Sequence, residues 1–182
     1  MPNFDIILAC LPGHNGAPSF GMVTVDILAA GYAEALSSSL GQRKLLFVGE
    51  SLGGLVGVAM AQAPPASVAA IVSLDPFLDG DVWPLKWMLE NGHGTSVNST
   101  FSGTYHHLLN DLRSPVHVIA GESLLGERRD GALPSLLLPQ DRILVAKHCR
   151  LSVIPGGHHL VQDNPAACAN IILSEARAIW SK

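Results

Sequence analysis

A chain of 182 residues has room for one domain with a sizeable core and little room for a second. With 48% hydrophobic and 14% charged residues, it is a poor fit to disorder, and most of its elements should be buried on at least one face, as in a sheet covered by helices. A formal net charge of −4 and a pI near 6.0 give no basic field for a phosphate backbone, which argues against nucleic acid as a partner.

The N-terminus, MPNFDIILACLPG, lacks a basic leader, and its apolar run is too short for a signal core or a membrane span. Cys10, Cys149 and Cys168 are widely spaced in apolar segments, a pattern of buried reduced thiols rather than of a disulfide framework or a zinc site. A cytoplasmic protein that does not associate with membranes is expected. Nothing in the sequence specifies an oligomeric state.

In chain order, Phe4 to Leu11 is a short apolar run stopped by Pro12-Gly13 and reads as a buried strand. From Thr24 to Leu40, Val25, Leu28, Ala29, Tyr32, Ala35 and Leu36 recur at helical spacing, and Gly41 ends the helix. Strand Lys44 to Val48, helix Leu52 to Ala63 and strand Ser67 to Leu74 follow, the last two stopped by Pro64-Pro65 and Asp75-Pro76. Residues 77–114 read as a less regular, cap-like excursion, with helices near Val82 to Glu90 and Tyr105 to Leu112. Then come strand Pro115 to Ala120, helix Pro139 to Lys147, strand Cys149 to Ile154 and an amphipathic helix from Pro165 to Trp180. Strands separated by helices run parallel, so the fold class is α/β: a three-layer α/β/α sandwich around a mostly parallel sheet, formed by residues 1–182 as one domain. Ligands of such sheets bind at the carboxyl ends of the strands.

The tetrapeptide GESL occurs twice after a strand, at Ser51 and at Ser123. At Gly49-Glu50-Ser51-Leu52-Gly53 it joins a strand to a helix rich in Gly and Ala, the context of a strained strand-to-helix turn that exposes a nucleophile. The turn sets Ser51 at the positive end of the helix, with the Leu52 N–H free to hold an oxyanion. The competing reading, a Gly-rich phosphate-binding turn, lacks the Lys and spacing of a P-loop and is not G-x-G-x-x-G. The second copy is followed by Leu125 and GERRDGALP, which has no apolar helical period, so no elbow is expected there.

FVGESLGG, the strand end VSLDP and PGGHH before a terminal helix, in that order, resemble the α/β-hydrolase superfamily. The resemblance implies a Ser, acid, His triad acting on esters, thioesters or amides. It places the base at His158, the residue after the glycines that follow the last strand; His159 is the weaker choice. The acid has two candidates. The family's usual place in AGESLLGERRD is filled by Leu124, leaving Glu122 in that turn and Asp75 at the preceding strand end, where some family lipases carry theirs. The reading leans to Asp75 and keeps Glu122, with Asp79, Glu127 and Asp130 as outsiders.

LPGHNGAPS resembles the loop before the helix that leads to the elbow strand, which implies a shortened α/β-hydrolase fold of about five strands without the usual oxyanion loop. His14 or Asn15 in that Gly-flanked turn could supply the second oxyanion donor. Trp83, Trp87 and Met88, together with Leu85, could cover an acyl pocket, although such clusters are more often core. His106-His107 has no second ligand pair at metal spacing, so neither metal nor other cofactor is expected. The expectation is a serine hydrolase for a small or medium uncharged acyl ester or thioester. The rival is a non-catalytic, shortened relative that binds a small molecule or a partner.

Overall fold

A computed structural model describes residues 5–12, 16–18, 23–41, 43–82, 101–124 and 133–181. Four strands, β1 (Leu45–Glu50), β2 (Val68–Leu74), β3 (Val116–Gly121) and β4 (Arg150–Ile154), form one parallel sheet in that order. The α-helices among the described residues are α1 (Val25–Leu40), α2 (Leu52–Met60), α3 (Pro139–His148), the single turn α4 (Leu160–Asp163) and α5 (Pro165–Trp180). Thr24 caps α1 by accepting the Ile27 N–H, and Asn164 caps α5 by accepting that of Ala167.

Alternation along the strands builds a core on each face of the sheet. Ile71, Val118 and Ala120 point to the side packed with Val25 and Leu28 of α1, Leu55 and Val58 of α2 and Val145 of α3. Val72, Leu74 and Ile119 point the other way, onto Leu160 and the α5 residues Cys168, Ile171 and Ile172. This is the three-layer α/β/α arrangement expected. Helix α5 is also fastened by polar groups: buried His117 on β3 meets Glu175 through Nδ1 at 2.9 Å and Ser152 on β4 through Nε2 at 2.9 Å.

Four expectations change. The run from Phe4 to Leu11 forms no strand in its described part, 5–11, and Ile6 and Leu8 are 85% and 90% exposed. An apolar run becomes a strand only where a neighbour pairs its N–H and C=O groups. Here the segment is tied instead by an Asp5–Arg43 ion pair and by the Tyr32 hydroxyl donating to the Cys10 carbonyl. The sheet among the described residues therefore has four strands rather than about five, with β1 paired only to β2.

Cys10 shares this setting and is exposed, whereas burial pushes the Cys149 thiol up to about 11 and also raises that of Cys168. The helix expected over Tyr105 to Leu112 is a short 3-10 helix, His106–Leu109. The Gln62 side-chain amide binds the carbonyls of His107 and Asn110, and Asp111 turns to a φ of 55°. Within the excursion, Phe77, Leu78, Phe101, Leu108 and Leu109 are buried core. Its centre, residues 83–100, lies outside the described residues, and with it most of the helix expected from Val82 to Glu90. Among the described residues no helix is long and apolar enough to cross a membrane.

Candidate active site

A repeated backbone register brings distant residues to one edge of the sheet. The amide after each of three strands donates to the end of the next strand: Ser51 N–H to Leu74 O at 2.9 Å, Asp75 N–H to Ile119 O at 2.7 Å, and Glu122 N–H to Ile154 O at 2.8 Å. Ser51, Asp75 and Glu122 thus leave consecutive strand ends side by side, and the loop after β4 adds His158.

Ser51 sits at φ 56° and ψ −120°, a conformation that a side-chain-bearing residue holds only under strain. The tightness of the turn is visible at Gly49, where an added Cβ would lie 2.3 Å from the carbonyl carbon and oxygen of Gly53. Gly54 and Gly57 let α2 settle onto the sheet, since a Cβ at either would meet Ser73, or Ile71 and Phe47, at 3.0 Å or less. Gly53 is under no such constraint: a Cβ there meets nothing within 4 Å. Leu52 is the first residue of α2, so its N–H has no acceptor within the helix and stands at the positive end of the helix dipole.

His158 is 1% exposed, and its ring bridges two elements. Nε2 lies 3.0 Å from Ser51 Oγ, and Nδ1 lies 2.8 Å from Asp75 Oδ2. With Nδ1 protonated toward the carboxylate, Nε2 is left to accept the serine proton. The loop carrying the histidine is held at several points. His158 N–H donates to Leu133 O at 2.9 Å, and Gly157 N–H donates to Asp163 Oδ2 at 2.7 Å. Val161 N–H donates to the Glu50 carboxylate at 3.2 Å, linking the loop to the elbow. A Cβ at Gly157 would stand 2.0 Å from Leu133 O, which accounts for a glycine directly before the histidine. His159 is half-buried and tilts against the His158 ring, with centroids 5.0 Å apart.

Asp75 is fully buried and Glu122 is exposed, and of the two the Asp75 carboxylate is the one in contact with His158. Asp75 also accepts from the Gly121 N–H, the Leu136 N–H and the Ser135 hydroxyl, so both carboxylate oxygens are engaged. Behind it, Arg142 donates to the carbonyls of Gly121 and Leu137. Burial pulls its guanidinium below the ordinary range, and the Asp75 charge opposes that pull. None of Ser135, Arg142, Asp163 or Glu50 has a spacing signal in the sequence; Ser135 lies 60 residues from the carboxylate it touches. Ser123 serves as backbone, receiving the Ser135 N–H and donating to Gly156 O. His106 meets Asp141 at 2.7 Å, joining the 3-10 helix to α3. Of the other expected site residues, His14 with Asn15, Trp83, Trp87 and Met88, and the outsiders Glu127 and Asp130, lie outside the described residues.

Comparison with known proteins agrees with this architecture. A family model described as the alpha/beta hydrolase fold matches residues 12–105, just over half of the chain, including Ser51 and Asp75. Among curated proteins, the chain is 38% identical over 82 residues to Lipase LipV of Mycobacterium tuberculosis (strain ATCC 25618 / H37Rv); the match covers 44% of this chain and 31% of that protein. Among solved structures, a thermophilic esterase superposes with a TM-score of 0.69 at 19% identity, over 93% of this chain and 79% of the other. A thioesterase domain from the curacin biosynthetic pathway gives 0.61 at 17% identity, over 88% and 77%. At these identities the structural matches speak for the fold, and the family model carries the assignment: the chain belongs to the alpha/beta hydrolase fold family.

Proposed function

We propose that the chain is a serine hydrolase that cleaves a small or medium uncharged acyl ester or thioester through an acyl-enzyme intermediate. The observation that carries this reading is the continuous relay from Ser51 Oγ to His158 Nε2, 3.0 Å, and from His158 Nδ1 to Asp75 Oδ2, 2.8 Å. A serine hydroxyl is a weak nucleophile until a base accepts its proton. In the proposed reaction, Ser51 Oγ forms a bond to the acyl carbon as its proton passes to His158 Nε2. The tetrahedral oxyanion collapses, the bond to the leaving alcohol or thiol breaks, and His158 returns the proton to that group. Water then attacks the acyl-serine by the same route, releasing the acid and restoring Ser51. Asp75 holds the His158 ring in the required tautomer and offsets the imidazolium charge. The Leu52 N–H is the oxyanion donor at the elbow, and His14 is the proposed second donor.

An esterase and a thioesterase domain among the structural matches, and a lipase among the sequence relatives, are in keeping with acyl substrates. Trp83, Trp87 and Met88 are proposed to line the acyl site. The same reading takes residues 1–182 as one cytoplasmic domain working on a small molecule, without nucleic acid, membrane or cofactor.

The test is labelling by a fluorophosphonate, followed by mass spectrometry of the modified peptide. Label on Ser51 in the wild type and its loss in Ser51→Ala is the expected result. A folded wild type that takes no label, or takes it equally in Ser51→Ala, would favour the rival reading of a non-catalytic binding module. Turnover of p-nitrophenyl acetate and of short acyl thioesters then sorts the substrate class.

A further inference from the structure

We propose that Ser135 is the positioning residue of the triad acid: its hydroxyl fixes the plane of the Asp75 carboxylate so that Oδ2 meets His158. This inference rests on the reading of Ser51, His158 and Asp75 as a catalytic relay.

Asp75 carries no exposed surface and has a φ of 40°. The terminal torsion of an aspartate is broad, so the direction of its carboxylate is decided by what surrounds it. Oδ2 receives the Leu136 N–H at 2.9 Å and faces His158 Nδ1 at 2.8 Å. Oδ1 receives the Gly121 N–H at 3.2 Å and the Ser135 hydroxyl at 2.5 Å. On the Oδ1 side the backbone bond is the long one, so without the hydroxyl Oδ1 is held by the 3.2 Å Gly121 bond alone and the carboxylate gains freedom to turn about its terminal torsion. That swing would move Oδ2 relative to the histidine.

The serine is itself aimed. Its Oγ accepts the Leu137 N–H at 3.2 Å, which occupies an acceptor site and leaves the O–H to point at Asp75. Its backbone is pinned by donation to Ser123 O at 2.8 Å. Arg142 completes the cradle. By binding Leu137 O at 3.0 Å together with Gly121 O, it clamps the two stretches whose N–H groups hold the carboxylate. Such fixed donors cost no reorganisation when the imidazolium forms.

The experiment compares wild type, Ser135→Ala, Ser135→Cys and the control Ser39→Ala, exposed on α1, with p-nitrophenyl acetate as substrate and fluorophosphonate titration counting working sites. In Ser135→Ala, kcat per titrated site should fall about 10- to 100-fold, the range for a misplaced reacting group, with KM within about twofold. Ser135→Cys fills the site while replacing the O–H with a weak donor, so a fall in its kcat cannot be assigned to a cavity. The far-downfield proton resonance of the His158–Asp75 bond should shift or broaden in both variants and stay in place in Ser39→Ala.

A folded Ser135→Ala or Ser135→Cys with wild-type kcat and an unmoved proton resonance overturns the proposal, even if its melting temperature drops. A wild type that takes no label at Ser51 fails earlier, overturning the triad reading and this role together.

Discussion

Two glycines flank Ser51 in the elbow pattern, and they do unequal work. A methyl group at Gly49 would sit 2.3 Å from the Gly53 carbonyl, inside any tolerated contact, whereas one at Gly53 would meet open space. Gly53 lies in the first turn of α2, at a φ that any residue adopts, so alanine there loses less chain entropy on folding. Gly49→Ala should cost at least about 1–3 kcal/mol, as overpacking does, and should displace Ser51 enough to abolish fluorophosphonate labelling. Gly53→Ala should be neutral or stabilising by up to about 1 kcal/mol, with labelling retained. Urea unfolding of the two variants checks the contrast, and equal destabilisation would contradict the packing described for the turn. A motif written G-x-S-x-G therefore hides an asymmetry that appears only when the atoms opposite each glycine are known.

Among the elements, α5 is held by polar as well as apolar contacts. His117 is 3% exposed on β3, between Glu175 of α5 and Ser152 of β4, and Arg150 adds a second, exposed contact to the same Glu175 oxygen. Replacing His117 with alanine removes both of its bonds, leaves a void and strips Glu175 of its buried partner. The expected loss is about 2–3 kcal/mol. Arg150→Ala breaks only a bond whose arginine is 66% exposed, for which about 0.5 kcal/mol or less is expected. Equal losses in the two variants would mean that the buried bonds do not fasten the helix.

The same scale shows what the residues disclose and what they withhold. Val, Ile and Leu runs ending at Gly or Asp-Pro locate β1 to β4, and helical spacing locates α1, α2, α3 and α5, because each signal is local to its segment. FDIILACL has the composition of those strands, but whether a neighbour pairs with it is decided elsewhere, and in the fold Ile6 and Leu8 face solvent. Likewise, Asp75 and Glu122 both follow a strand and cannot be told apart from their own neighbourhoods. Ser135, Leu136 and Gly121, brought in from 46 to 61 residues away, distinguish their surroundings. Contacts at that separation leave no trace in spacing.

At the scale of the whole molecule, the relay joins groups 107 and 83 residues apart, each borne on a different strand end of one sheet. No member has a local scaffold that would keep it in place once the sheet opens. Ser51 depends on β1 lying against β2, Asp75 on β2 lying against β3, and the histidine loop on the Leu133 carbonyl, Asp163 and Glu50 together. The site and the sheet should therefore lose structure in one step. Fluorophosphonate reactivity of Ser51, followed through a urea titration, should fall along the same curve as the far-ultraviolet circular dichroism, with coincident midpoints. Reactivity lost well before the helical signal would mean that the histidine loop detaches as a separate unit of low stability. In that case the bonds from Gly157, His158 and Val161 do not couple the loop to the sheet. Glu50→Gln weakens the acceptor for the Val161 N–H while keeping its shape, so it is the variant in which any such gap between the two midpoints should widen first.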